Sequence, residues 1–156
     1  MHTVKSLSLG IIALALLGCA QGHIDVLDKE GKVVGYCSAD FKFHWHGAEH
    51  SVNYLLYLCA KEHAANGYKL SDPSILERDY SLPPSPAGKK WSVKLAKQQF
   101  SRNKISEEEL GYLLAALEYD YWKKLEQAKQ LLSKAEISKH EYDLLIKQAK
   151  EAFKGE

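Results

Sequence analysis

The chain has 156 residues, and its 21 lysines and arginines nearly balance 20 acids, for a formal net charge of +1. That balance argues against nucleic acid as a partner, which calls for a strongly basic face. The length fits one domain with a core of its own.

The first segment has the parts of an export signal. Lys5 supplies the positive start, and Leu7 to Leu17, broken by Ser8 and Gly10, supplies an apolar stretch. A membrane-spanning helix needs roughly 20 apolar residues, so this shorter run reads as a removable address. Its end, Leu16-Leu17-Gly18-Cys19, resembles the lipobox of bacterial lipoproteins. The resemblance implies a diacylglyceryl thioether on Cys19, cleavage between Gly18 and Cys19, and acylation (a palmitate class of chain) of the new amine. Several acyl chains anchor stably where one anchors marginally. Residue 20 is Ala, not Asp. In the enterobacterial sorting rule that this resembles, such a residue directs the lipoprotein to the outer membrane, facing the periplasm, with the inner membrane as the alternative. Removing residues 1–18 takes away Lys5 and no acid, which leaves 20 charges of each sign on residues 19–156.

With Cys19 assigned to lipid, Cys37 and Cys59 remain. An even pair in an oxidising compartment reads as a disulfide, whose loop of about 20 residues would be worth roughly 3 kcal/mol. Two buried free thiols are the alternative. A C-x-x-C redox arrangement is absent.

The expected fold class is α+β. A small antiparallel sheet of two or three strands packs on a helix over about 23–82, and a mainly helical part over about 91–154 ends in an antiparallel helix pair. His23 to Leu27 alternates around Ile24 and Val26, Asp28-Lys29-Glu30-Gly31 is a turn, and Lys32 to Cys37 returns. The alternation continues through Phe41, Phe43 and Trp45, which share a parity with Cys37. Lys42, His44 and His46 take the outward parity. A helix follows from about Glu49 to Asn66, with Gly67 as a left-handed stop. Val52, Leu55, Leu56, Cys59 and His63 form its apolar stripe, so Cys37 and Cys59 lie on surfaces that should meet.

Asp72-Pro73 reads as a cap with proline in the first helical position. Tyr80 to Leu82 is a candidate third strand. Pro83-Pro84-Ser85-Pro86 is extended and exposed, a spacer or a docking peptide. From Trp91 the chain is helical, with a stripe of Val93, Ala96 and Phe100. Lys89, Lys90, Lys94, Lys97, Arg102 and Lys104 make this section basic, with no acid among them. It reads either as a contact for anionic headgroups or lipopolysaccharide phosphates, or as a solvated face balanced by Glu107 to Glu109.

Ile105-Ser106-Glu107-Glu108-Glu109-Leu110 and Ile137-Ser138-Lys139-His140-Glu141-Tyr142 repeat one pattern, a capping box preceded by isoleucine. The first opens a long helix with a seam of Leu110, Leu114, Leu117, Tyr121, Leu125, Ala128, Leu132 and Ala135. The second opens a helix carrying Tyr142, Leu145, Ile146, Ala149 and Phe153. The short break between them makes an antiparallel pair. Leu131-Leu132, Ile137-Ser138, Glu141-Tyr142 and Leu145 resemble the SHOCT family, a short C-terminal helical module, which implies a role in assembly or interaction. The usual glycine before the isoleucine is replaced by Ala135-Glu136. The whole chain resembles small enterobacterial lipoproteins of unassigned function, and neither resemblance brings catalytic residues.

Three histidines lie close in sequence. His44, His46 and His50 offer three imidazoles suited to copper or zinc. His46-Gly47-Ala48-Glu49-His50 also matches the H-x-x-E-H of inverted zinc peptidases. In those enzymes both histidines bind zinc from one helical face and the glutamate is the base; Gly47 is a poor residue for that helix. No Gly-x-Ser-x-Gly, P-loop or dinucleotide fingerprint occurs. Glu118 and Asp120 are two apart on a helix and do not face each other. The expectation is a lipid-anchored, non-enzymatic envelope lipoprotein with a structural or protein-interaction role and no cofactor. It would contact the membrane through its lipid, and an envelope protein is the candidate partner. The alternatives are a periplasmic copper or zinc binder and, lower, a zinc hydrolase using His46, Glu49 and His50.

Overall fold

The computed structural model describes residues 20–41 and 46–156. The export signal, Gly18, Cys19 and His44 lie outside these residues.

Strand β1 (Ala20–Leu27) and strand β2 (Val33–Phe41) pair antiparallel, with Ala20 opposite Phe41 and Ile24 opposite Cys37. Asp28 closes the turn between them. Its Oδ1 accepts from Lys32 N at 2.8 Å, its carbonyl accepts from Gly31 N, and Gly31 takes the positive φ of 86° that glycine allows. The pleat points Ile24, Val26 and Cys37 inward, all buried, and leaves His23 and Tyr36 on the outer face.

Helix α1 (Ala48–Ala65) lies across the inner face. A Cβ at Gly22 would collide with Val52 and Leu56, so this glycine lets α1 approach the sheet closely. The expected stripe is only part of what α1 buries. Ser51, Tyr54 and Ala60 are buried as well, because a second layer covers the opposite side. Gly67 has the left-handed φ expected after the helix. The chain then enters a short strand, β3 (Lys69–Leu70), on the free side of β1, giving the order β2-β1-β3.

The third strand is therefore at 69–70 and not at Tyr80–Leu82. The Ser81 N–H is taken by Asp79 Oδ1 at 2.9 Å, and Tyr80 turns its ring into the core, which removes that stretch from any ladder. Between the two, Pro73–Leu76 form a 3-10 turn capped by Asp72, whose carboxylate accepts from Ser74 N at 3.1 Å. Pro83 is not free: its carbonyl accepts from Trp91 Nε1 at 3.1 Å, which ties the proline-rich segment to the helical half.

Helix α2 (Val93–Ser101) is capped by Ser92, helix α3 (Glu107–Ser133) by Ser106 and helix α4 (Lys139–Lys154) by Ser138. Both expected capping boxes are formed. Glu109 and Glu141 each reach back to the backbone N–H of their capping serine at 2.7 Å.

The repeat is longer than those boxes. Ser101 and Ser133 hydroxyls donate to the carbonyls of Gln98 and Gln130. Asn103 and Ala135 then take φ of 53° and 54°, and Lys104 and Glu136 return N–H bonds to Gln99 and Leu131. This is the Schellman ending of a helix, used twice, each time followed by Ile-Ser and a capping box. One corner thus joins α2 to α3 and α3 to α4. Ala135 belongs to the corner and not to the α3 seam.

The N-terminal half of α3 packs on α1 and α2, and its C-terminal half packs on α4. Leu110, Leu113 and Leu114 close a second core with Ala96, Trp91 and Phe100. Burying each such leucine contributes about 1.5–3 kcal/mol. Farther along, Tyr121 stacks on Phe153 with ring centres 4.9 Å apart, and Ala128 and Ala149 are buried. The end of α4 returns to α2, where Gly155 lies against Ser92.

Two substitutions test these joints. Gly111→Ala would place a methyl 2.6 Å from His50 Cβ and closer still to the Gly47 carbonyl oxygen. It is expected to cost about 1–3 kcal/mol in urea unfolding. Ala135→Gly relieves a left-handed alanine and is expected to stabilise by about 0.5–1 kcal/mol in the same assay.

Candidate functional site

Among the described residues, one set of three candidate ligand side chains brings its donor atoms within 4.8 Å of one another: Cys37, Cys59 and His63. The sheet and α1 create it. Cys37 is the inward residue of β2 opposite Ile24, and Cys59 and His63 lie one turn apart on the same side of α1. The two cysteines are joined in a disulfide with Cα atoms 5.8 Å apart, as one of the two sequence readings expects. Cys37 is 1% exposed, while Cys59 and His63 are half-buried. The His63 ring meets the Tyr68 ring edge-on at 5.8 Å, and no described group hydrogen-bonds its nitrogens. The apolar stripe already contained His63 and Cys59. Strand parity and helix period also bring in Cys37, 22 residues from Cys59; that the His63 ring closes on this pair shows only in the folded chain.

The other histidines are placed differently. Helix α1 begins at Ala48, and Gly47 before it is left-handed with φ 76°, so His46 stands off the helix that carries His50. His46 Nδ1 lies 3.8 Å from Glu107, and its ring sits 5.2 Å from that of Phe100. His50 meets Tyr112 edge-on at 6.2 Å. The two histidines therefore do not share the helical face that the H-x-x-E-H arrangement needs. His50 lies between α1 and α3, whereas His46 is exposed beside α2 and the start of α3. Glu107 also accepts from Gly47 N at 2.9 Å, which fixes the start of α1.

A cluster of four tyrosines fills the space between α1, the 3-10 turn region and α3, and the sequence reading missed it. Tyr57 stacks on Tyr80 at 4.4 Å, and Tyr54, Tyr80 and Tyr112 lie within 6.2 Å of one another by ring centre. Tyr112 donates to Glu108 at 2.7 Å, whereas the buried Tyr80 hydroxyl finds no well-formed hydrogen bond among the described residues, with the Arg78 guanidinium beside it. Desolvation pushes the phenols of Tyr54, Tyr80 and Tyr112 upward. The Tyr57 phenol adds to the rise at Tyr54 and the Glu108 carboxylate to that at Tyr112, while the Arg78 guanidinium opposes it at Tyr80. Tyrosines at unrelated positions gave no periodic signal to find them by.

The basic section is exposed, and none of its six cations is ion-paired with a described residue. The neighbouring acids have other partners: Glu107 holds Gly47, Glu108 accepts from Tyr112, and Glu109 completes the capping box. Contacts run from this section toward the start of the domain. Phe100 in the last turn of α2 meets His46, five residues after Phe41, which pairs with Ala20. Five residues span at most about 18 Å of chain.

No protein-family model, curated protein or solved structure matches the chain. No helix of the described residues is long and apolar enough to cross a membrane.

The cluster and the tyrosines each give a measurement. Replacing Cys37 and Cys59 together by serine is expected to lower unfolding free energy by about 3 kcal/mol, read by urea titration. A phenol raised in the folded state leaves stability whole below its unfolded pKa of about 10 and removes it as pH climbs toward the folded value. Of nine tyrosines, three are therefore expected to ionise late in an ultraviolet pH titration, together with loss of helical circular dichroism. Nine phenols titrating as one ordinary group would refute this.

Proposed function

We propose that this chain is a lipid-anchored lipoprotein of the bacterial envelope with a non-enzymatic, interaction role. Its place is the periplasmic face of the outer membrane, and Cys19 carries the lipid. The observation that carries the reading is the position of β1. Ala20, the residue after the lipobox cysteine and the first one described, already lies in β1 and pairs with Phe41 of β2. Anchor and fold are contiguous, so a lipid on Cys19 would hold the domain against the bilayer without a flexible spacer. The cations of residues 89–104, which have no ion-pair partner among the described residues, supply the charge that an anionic envelope surface attracts. The antiparallel α3–α4 pair presents Trp122, 59% exposed, with Leu144 and Leu145. Leu144 and Leu145 fall within Leu125–Phe153, the segment for which the SHOCT resemblance implies a role in assembly.

Labelling with a palmitate analogue in an enterobacterial host tests the anchor. The wild-type chain is expected to take up label and sediment with outer membranes, and Cys19→Ala to lose the label. Ala20→Asp is expected to move the labelled chain to the inner membrane fraction. Label persisting on Cys19→Ala would overturn the assignment. Crosslinking in intact cells tests the interaction role: a monomer free of adducts throughout would count against it.

A further inference from the structure

We infer that Cys37, Cys59 and His63 form a redox-gated site for a thiophilic d10 cation, zinc(II) or copper(I), closed while the disulfide stands and opened by a dithiol. The ligand set is new relative to the histidines singled out by sequence, and it does not depend on the lipid anchor. Two thiolates and one imidazole are the donors that structural and catalytic zinc sites combine, and thiolates also select copper(I).

The geometry is close to what an ion needs. Around zinc, sulfur at about 2.3 Å and nitrogen at about 2.0–2.1 Å place tetrahedral donors about 3.6–3.8 Å apart. The three donor atoms already lie within 4.8 Å. Once the disulfide opens, the sulfurs must part and the His63 nitrogen must close by no more than about 1 Å to reach tetrahedral spacing. Two ligands come from one turn of a regular helix and the third from the strand that the helix covers, so the set is held by packing on both sides. The histidine ring is not committed to another described hydrogen-bond partner. With three protein ligands, the fourth position would be left to water or to an exchanging ligand.

The opening step balances as thiol–disulfide exchange. A thiolate of an external dithiol attacks Cys59 Sγ, the half-exposed member, forming a mixed disulfide and releasing Cys37 as thiolate. The second thiol of the reagent then displaces Cys59, and the reagent leaves as its own disulfide. Binding of the cation releases the protons that remain on the two thiols. Reoxidation by an external disulfide reverses both steps and expels the ion.

The test uses the lipidated chain purified in detergent, oxidised or reduced with a phosphine, and titrated with zinc(II) against a chromophoric chelator. The reduced chain is expected to bind one zinc per molecule and the oxidised chain none at comparable affinity. Losing a group that only orients a ligand costs about 10–100-fold in metal affinity, so His63→Ala should weaken binding at least about tenfold. Its oxidised form should remain folded. Cobalt(II) in place of zinc should give thiolate charge-transfer bands and tetrahedral d–d bands in the reduced wild type. The d–d bands should change in His63→Ala. Circular dichroism follows the fold in parallel, and recovery of helix signal on adding zinc to a loosened reduced chain supports the site. Equal zinc affinity of the oxidised and reduced chains overturns the inference. So does His63→Ala binding as tightly as wild type, including the case where a reduced, unfolded chain binds through its thiols alone.

Discussion

Where α3 crosses the start of α1, Gly111 has no side chain, and the backbone of Gly47 occupies the space a Cβ would need. Ser51, fully buried, donates its hydroxyl to the Gly111 carbonyl at 2.8 Å, and Glu107 binds Gly47 N from the first turn of α3. A lone buried hydroxyl would be costly, and here the neighbouring helix satisfies it. This close crossing makes α1 the middle layer of the molecule. One side of α1 is stapled to the sheet by the disulfide, and the other is seated on α3 through glycine and the tyrosine cluster.

Consequences spread from that middle position. The start of α1 is held to α3, which places the exposed His46 beside Phe100 and Glu107 and sets His50 against Tyr112. The far part of α1 faces the sheet alone, and there Cys59 and His63 meet Cys37. The acids that open α3 are used at the crossing and at the cap, which leaves the cations of residues 89–104 without protein counter-charges among the described residues. One crossing thus separates His46 and His50, a disulfide–imidazole cluster, and a basic surface with no ion-pair partner among the described residues.

The helical half is built by repetition. The same Schellman corner and capping box end one helix and begin the next at residues 98–109 and 130–141, although Asn103 and Ala135 share only a backbone conformation. The first corner folds α3 back onto α2 over a leucine core, and the second folds α4 back onto α3 over Tyr121 and Phe153. Local hydrogen bonds set both turns, and the apolar seams decide what each helix covers.

Much of this was readable from residues taken in order, because the signals are local. Alternation around Ile24 and Val26, the Asp28–Gly31 turn, the Asp72-Pro73 cap and both Ser-x-x-Glu boxes each concern groups within a few residues, and each is formed. The pairing of Cys37 with Cys59 followed from parity on a strand and period on a helix, which needs only that the two apolar faces meet. The third strand was misplaced because two residues at 69–70 carry no periodic signal, while the apolar Tyr80 and Leu82 do, and a side-chain bond from Asp79 removes the latter from the sheet. The second buried face of α1 was missed for the same reason. Ser51 and Tyr54 read as a polar and an aromatic residue until Gly111 and Tyr112 arrive some 60 residues later in the chain. Sequence alone determined the hairpin, the main helices, both capping boxes and the favoured disulfide pairing, which rest on spacing. Only the tertiary structure decided which histidine joins the cysteines and which cations stay unpaired, since both depend on how α3 crosses α1.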